Sequence, residues 1–135
     1  MNNLPLRLVI LGTPRTKKNS QQIFKRGNGK GFFIAPSKDY KKYEEDAIKQ
    51  IHYDGEPISC PVNICCMYYM PTKRKVDLTN LLEATDDVLV KAGVLADDNS
   101  DIIVSHDGSR VHKGYKHCPR VELIIREVHS DGTGN

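Results

Sequence analysis

No stretch of this sequence approaches the roughly 20 consecutive apolar residues that a membrane-spanning helix needs. The opening residues, MNNLPLRLVILGTPR, lack a cationic start, a long apolar centre and a small-residue cleavage site, so a secretory leader is not expected and the expected location is the cytoplasm. There is no C-x-x-C pair among Cys60, Cys65, Cys66 and Cys118, and Cys65 and Cys66 would point to opposite faces of a strand, which favours reduced thiols over a zinc site. His52, His106, His112, His117 and His129 form no H-E-x-x-H or comparable spacing and are expected on the surface or in loops. Internal repeats and linkers are absent too. At 135 residues and 15.2 kDa, residues 1–135 therefore form a single domain, with 129–135 as a frayed tail. Such a domain buries roughly two thirds of its unfolded surface.

Acidic residues are scarce over one long segment. Arg15, Lys17, Lys18, Lys25, Arg26, Lys30, Lys38, Lys41 and Lys42 are opposed there only by Asp39, although the net charge of the chain is just +3. The result is a local cationic surface, which either serves a polyanion or is an ordinary solvated face.

The patterning predicts an α/β (α+β) fold with a mixed sheet and two main helices. Leu6–Gly12 is a short apolar, β-branched run that reads as a buried strand. QIFKR, GNGKG and FFIA suggest a hairpin. The preceding TPRTKKNSQ either tracks phosphates or is a mobile loop. Ser37 is placed to cap a helix whose Tyr40, Tyr43, Ala47 and Ile51 share one face. PVNICCMYYM reads as a strand covered on both faces and ended by Pro71. Leu78, Leu81, Leu82, Thr85, Val88, Leu89 and Ala92 make one helical stripe, with Asp77 at the N-cap and Gly93 beyond the end. VLADDNSD then turns the chain, and IIVSHDGSRV and RVELIIREV read as strands.

The basic run Lys73, Arg74, Lys75 is followed at once by a row of carboxylates from Asp77 to Asp101. Like charges repel unless a cation or water separates them. Asp87 lies roughly 15 Å along the helix from Asp77, too far for both to hold one ion, whereas an extended return after Gly93 carries Asp97 and Asp98 back along the helix. Two readings stay open on spacing alone. One is a hard-cation site of the kind Mg²⁺ takes, and the other is helix-dipole complementarity with plain turn chemistry.

The segment DLTNLLEATDDVLVKAGVLADD resembles the RusA family of Holliday junction resolvases, with Asp77, Asn80, Leu81, Asp87, Leu89, Gly93, Asp97 and Asp98 at the positions of that family's central pattern. Weaker agreement runs through TPRTKKNSQ, KDYKKYEEDA, YMPTKRK and RVELII in the family's order. The resemblance implies a small homodimer that binds four-way or otherwise branched DNA and cuts it with Mg²⁺, Mn²⁺ being a possible substitute. It implies that Asp77 and Asp98 are the catalytic metal ligands, that Asn80 supports the site, and that Lys73, Arg74 and Lys75 lie near the scissile backbone. The acidic run adds Asp97, Glu83 and Asp87 as further candidate ligands, Thr79 is expected beside Asn80 in the site, and the basic loop with Arg15, Lys17, Lys18 and Asn19 is expected to contact DNA. Two departures stand out: Thr79 occupies the second Asp of D-x-D-N, and Glu83 stands where a lysine is common. Being four apart on a helix, they suggest that a carboxylate lost at position 79 is replaced from position 83. Two alternatives follow: a junction-binding protein with little or no cleavage, or a nuclease preferring flaps or forks.

Overall fold

A computed structural model describes residues 4–17, 21–25 and 32–129. Its elements, in chain order, are β1 (Leu6–Leu11), β2 (Gln21–Lys25), β3 (Phe32–Pro36), α1 (Lys38–Gln50), β4 (Val62–Tyr69), α2 (Leu78–Lys91), β5 (Ile103–Ser105), β6 (Arg110–His112) and β7 (Arg120–Glu127). This is a mixed α+β architecture. The main sheet has five strands in the order β1-β7-β4-β5, with β6 also on β4, and β2 and β3 form a separate antiparallel pair. The expected hairpin is thus present; its turn lies outside the described residues, as do Lys18, Asn19 and residues 130–135.

β4 organises the sheet. It pairs antiparallel with β7 over its whole length, from Val62↔Glu127 to Tyr69↔Arg120. On its other side it takes β5 in parallel at its start and β6 in parallel at its end. Val62, Ile64, Cys66 and Tyr68 are buried and alternate with partly exposed residues. That alternation corrects the expectation of a strand covered on both faces, because the core that includes Leu81, Val88 and Leu89 of α2 and Ala47 of α1 lies on one side. β1 is corrected for the same reason. As an edge strand paired only with β7, it buries Ile10 while Val9 and Leu11 are 52% and 55% exposed.

Both helices start as their sequences dictate. The Ser37 hydroxyl accepts the Tyr40 N–H at 3.1 Å, supplying one of the first-turn amides with the acceptor it lacks within the helix. Asp77 does the same for α2. The α2 stripe buries Leu81, Thr85, Val88 and Leu89, with Ala84 and Asp86 beside them. Gly93 ends the helix at φ +80°, a conformation that L side chains adopt at a cost, and Val94 N–H returns to the Leu89 carbonyl. The strand expected over IIVSHDGSRV is instead two short strands. A turn at His106–Ser109, with Gly108 at φ +89°, divides them, so β5 and β6 meet different ends of β4. The four cysteines are free, with Cys66 buried and Cys65 on the opposite, partly exposed side of β4.

One polar contact ties α2 to the sheet through the core. Thr85 Oγ1 donates to the Leu81 carbonyl at 3.0 Å, so it is the Tyr68 hydroxyl that donates to Thr85 Oγ1 at 2.7 Å. Thr85→Val keeps the shape and removes this acceptor. It is expected to cost about 1–2 kcal/mol in urea denaturation, with the slope unchanged.

Candidate active site

The candidate residues lie in the loops that follow β1 and β4 at one end of the sheet, along the exposed side of α2, and in the turn before β5, which meets the opposite, first end of β4. After β1, the backbone of Leu11 is gripped by the Gln50 amide at 2.7 and 2.9 Å, and Gly12 N–H bonds to the Pro119 carbonyl at 3.0 Å. The residues that follow are anchored: Pro14 and Thr16 are buried, and Lys17 bonds to Asp87. The described part of the TPRTKKNSQ loop is therefore a built wall. It faces the β4–α2 loop across an open cleft of about 610 Å³, in which Arg15 lies on one side and Arg74 and Lys75 on the other, over Met70, Pro71, Val76 and Leu81. Lys73 is exposed beside them. Of the expected basic groups, Arg15 from one segment and Arg74 and Lys75 from the other thus line one cleft.

Asp77 follows Val76 directly. Its Oδ1 accepts the backbone N–H groups of Thr79 and Asn80 at 3.0 and 3.4 Å, and the Thr79 hydroxyl donates to the same oxygen at 2.6 Å. The departure at position 79 has a physical account in this geometry. A second carboxylate there would repel Asp77, whereas the hydroxyl binds it and fixes its orientation. Asn80 contributes its backbone to the same clamp.

The remaining acidic residues are parcelled out. Lys17 Nζ lies 2.6 Å from Asp87 Oδ2. The Lys17 pKa is raised, first by the hydrogen bond to Asp87, with Glu44 and Glu83 adding charge attraction and burial opposing. Glu83 is exposed. Asp97 is spent on its own turn: Oδ1 accepts Asp98 N–H at 2.7 Å and Oδ2 accepts from Asn99 at 3.1 Å. The Asp98 amide hydrogen bond is the main cause of its lowered pKa. Asp98 itself is exposed in that turn.

Asp86 was not singled out in the sequence, and it is buried. Both its oxygens lie 3.0–3.1 Å from His106 Nε2. Burial pushes its pKa up, His106 opposes this, and the charges of Asp98 and Asp87 add to the rise. His106 is held by its neighbours: Asn63 Oδ1 accepts from Ser105 Oγ at 2.6 Å and from Asp107 N–H at 2.7 Å. The available signal was Asp86 lying four residues after Leu82 on the border of the stripe, with a histidine about twenty residues on. Among the described residues, no three His, Cys, Asp or Glu side chains gather as a metal-holding group, so Glu83 and Asp87 are not brought into one set with Asp77 and Asp98.

The family model for endodeoxyribonuclease RusA matches residues 12–126, which include both cleft walls, the Asp77 clamp and the Asp98 turn. The chain belongs to the RusA family. It is also 28% identical over 116 residues to the crossover junction endodeoxyribonuclease RusA of Aquifex aeolicus (strain VF5), covering 84% of this chain and 86% of that protein. RusA proteins are endodeoxyribonucleases, enzymes that hydrolyse phosphodiester bonds within DNA. None of the described helices is long and apolar enough to cross a membrane.

Removing His106 leaves the Asp86 carboxylate buried with its compensation gone. His106→Ala is expected to destabilise by about 1–3 kcal/mol in urea melts at neutral pH, and Asp86→Asn in that background to recover part of the loss. The sign with pH follows from a raised folded-state pKa. Stability from such a group is present in acid and lost as pH rises through that value, so the defect shrinks on acidification.

Proposed function

We propose that this chain is a divalent-metal-dependent endonuclease that resolves four-way DNA junctions as a cytoplasmic homodimer. The observation that carries the proposal is the Asp77 clamp directly beside a cleft rimmed by Arg15, Arg74 and Lys75, inside the segment matched by the family model. A carboxylate alone repels DNA, and the adjoining guanidinium and ammonium groups supply the phosphate attraction that offsets it. The relative from Aquifex aeolicus, named as a crossover junction endodeoxyribonuclease, supports the choice of substrate.

The donors available suit a hard cation. Asp77 and Asp98 offer carboxylate oxygens, and Mg²⁺ characteristically takes one or two carboxylates and completes its shell with water and substrate phosphate, so a third protein carboxylate is not required. Mn²⁺ prefers similar donors and is a plausible substitute. Once held there, such an ion supplies charge neutralisation at the scissile phosphate and makes a nearby water more acidic. The chain's own residues do the rest. Thr79 and the amides of Thr79 and Asn80 orient Asp77; Asp97 shapes the turn that presents Asp98; Arg15, Lys73, Arg74 and Lys75 position the backbone of the strand to be cut. Lys17, paired with Asp87, fastens the loop after β1 to the side of α2. A two-fold dimer gives two such sites for the two equivalent strands of a junction.

The test is cleavage of a synthetic four-way junction in Mg²⁺ beside flap, fork and linear duplex substrates. Asp77→Asn and Asp98→Asn are expected to keep junction binding in EDTA and to lose nicking by at least about 100-fold. Cutting at the undiminished rate by either variant removes that residue from the site, and equal cutting of flaps and forks redirects the substrate assignment. Glu83→Gln is expected to leave the Mg²⁺ concentration dependence unchanged; a shift to higher Mg²⁺ would place Glu83 among the ligands after all.

A further inference from the structure

Between Asp107 and Glu122 the chain has no acidic residue, while Arg110, Lys113, Lys116 and Arg120 fall in that interval together with Tyr115. The functional reading above does not use this segment, yet it lies at the same end of the sheet as the cleft. Met70, on the cleft floor, bonds through its N–H to the His112 carbonyl at 2.8 Å, and the Met70 carbonyl accepts Tyr115 N–H at 2.9 Å. Pro119 is tied to Gly12 at the head of the opposite wall. The segment from β6 to β7 therefore bridges the ends of β1 and β4 and is pinned at both sides.

Tyr115 is 42% exposed, the one aromatic among the exposed large apolar side chains of the described residues. Its ring is braced from behind. It meets Tyr69 edge-on at 4.9 Å between centroids; Tyr69 in turn stacks on His112 at 4.9 Å and carries the Arg120 guanidinium 4.0 Å above its ring. Arg120 is itself fixed by Glu122 at 2.7 Å. An aromatic ring supported this way and left open to solvent keeps little rotamer freedom to lose on binding. Lys113 and Lys116 flank it in the chain and Arg110 opens β6 in the same segment, and all three are exposed cations. An exposed aromatic ring in a basic segment is the chemistry that receives a nucleic acid base whose flanking phosphates are held by Lys and Arg. Paired bases inside a duplex hide their faces from such a ring. A branch point, where stacking is interrupted, exposes them.

We infer that Tyr115 is a stacking platform for an unpaired or unstacked base at a DNA branch point, with Arg110, Lys113 and Lys116 on the neighbouring phosphates. This rests on the reading of the chain as a branched-DNA nuclease, and it assigns to a segment outside the acidic centre the recognition that separates a branch from a linear duplex.

The chain contains no tryptophan, so Tyr115→Trp installs a single fluorescent reporter at the platform. In EDTA, which prevents cutting, its emission is expected to fall on titration with a four-way junction or with single-stranded DNA and to stay unchanged with a fully paired duplex of equal length. In gel shifts, Tyr115→Ala is expected to weaken junction binding by about tenfold with little change for duplex, while Tyr115→Phe, which keeps both the packing on Tyr69 and the stacking face, retains junction affinity. Thermal melts of the Phe and Trp variants at the original temperature establish that the bracing survives, and the Ala and Phe pair carries the test if the Trp variant does not fold. The inference falls if junction and duplex quench equally, or if Tyr115→Ala binds the junction as tightly as the unaltered chain. Should the unaltered chain cut junctions while either result holds, only the platform is rejected; should it neither prefer nor cut junctions, the functional reading falls with it.

Discussion

Asp77 Oδ1 accepts three hydrogen bonds at once, from the amides of Thr79 and Asn80 and from the Thr79 hydroxyl. The start of α2 and the direction of the cleft-side carboxylate are consequently set by one atom. A helix N-terminus carries partial positive charge and unsatisfied donors, so an anion is stabilised there without needing a bound cation. The same preference that makes the carboxylate a good cap holds it at the edge of the basic cleft, with its chain neighbour Val76 in the cleft lining.

The acidic run along α2 and its following turn is tolerated because its charges are dealt with separately. Asp87 is neutralised by Lys17 from the β1–β2 connection, Asp86 is buried against His106, and Asp97 is absorbed into the hydrogen bonding of its own turn. Each solution uses a different physical device: an ion pair, a buried carboxylate–imidazole contact, and local amide donation. Asp77 and Asp98 are the two carboxylates that the proposed function assigns to the metal. The juxtaposition of Lys73–Lys75 with these carboxylates then has a simple electrostatic meaning. On the proposed function, these cations would hold a polyanion beside groups that otherwise drive it away.

Much of this was legible from local chemistry. Ser37, Asp77 and Gly93 mark helix ends by mechanisms confined to a few neighbouring residues, and the Leu78–Ala92 stripe has one period consistent with burial. What depended on distant partners was not legible. Lys17 looked like one more cation in a basic loop because its partner lies seventy residues away, and Asp86 drew no notice because nothing near it in sequence announces His106. The apolar runs of β1 and β4 suggested cover on every side, yet layering sets exposure, and these strands have helices on one face only. Thr79 read as a lost ligand; its hydroxyl became intelligible once its distance to Asp77 was known.

β4 has two different parallel neighbours on one edge, β5 at its beginning and β6 at its end. The turn bearing His106 and the braced ring of Tyr115 are therefore indexed to the same eight residues, Val62–Tyr69. A strand's side chains alternate with a period of two, so adding or deleting a single residue inside it would exchange its inward and outward rows and displace both features together. Evolutionary change in chain length should accordingly be confined to segments on either side of this strand, leaving it as the ruler against which the rest of the surface is measured.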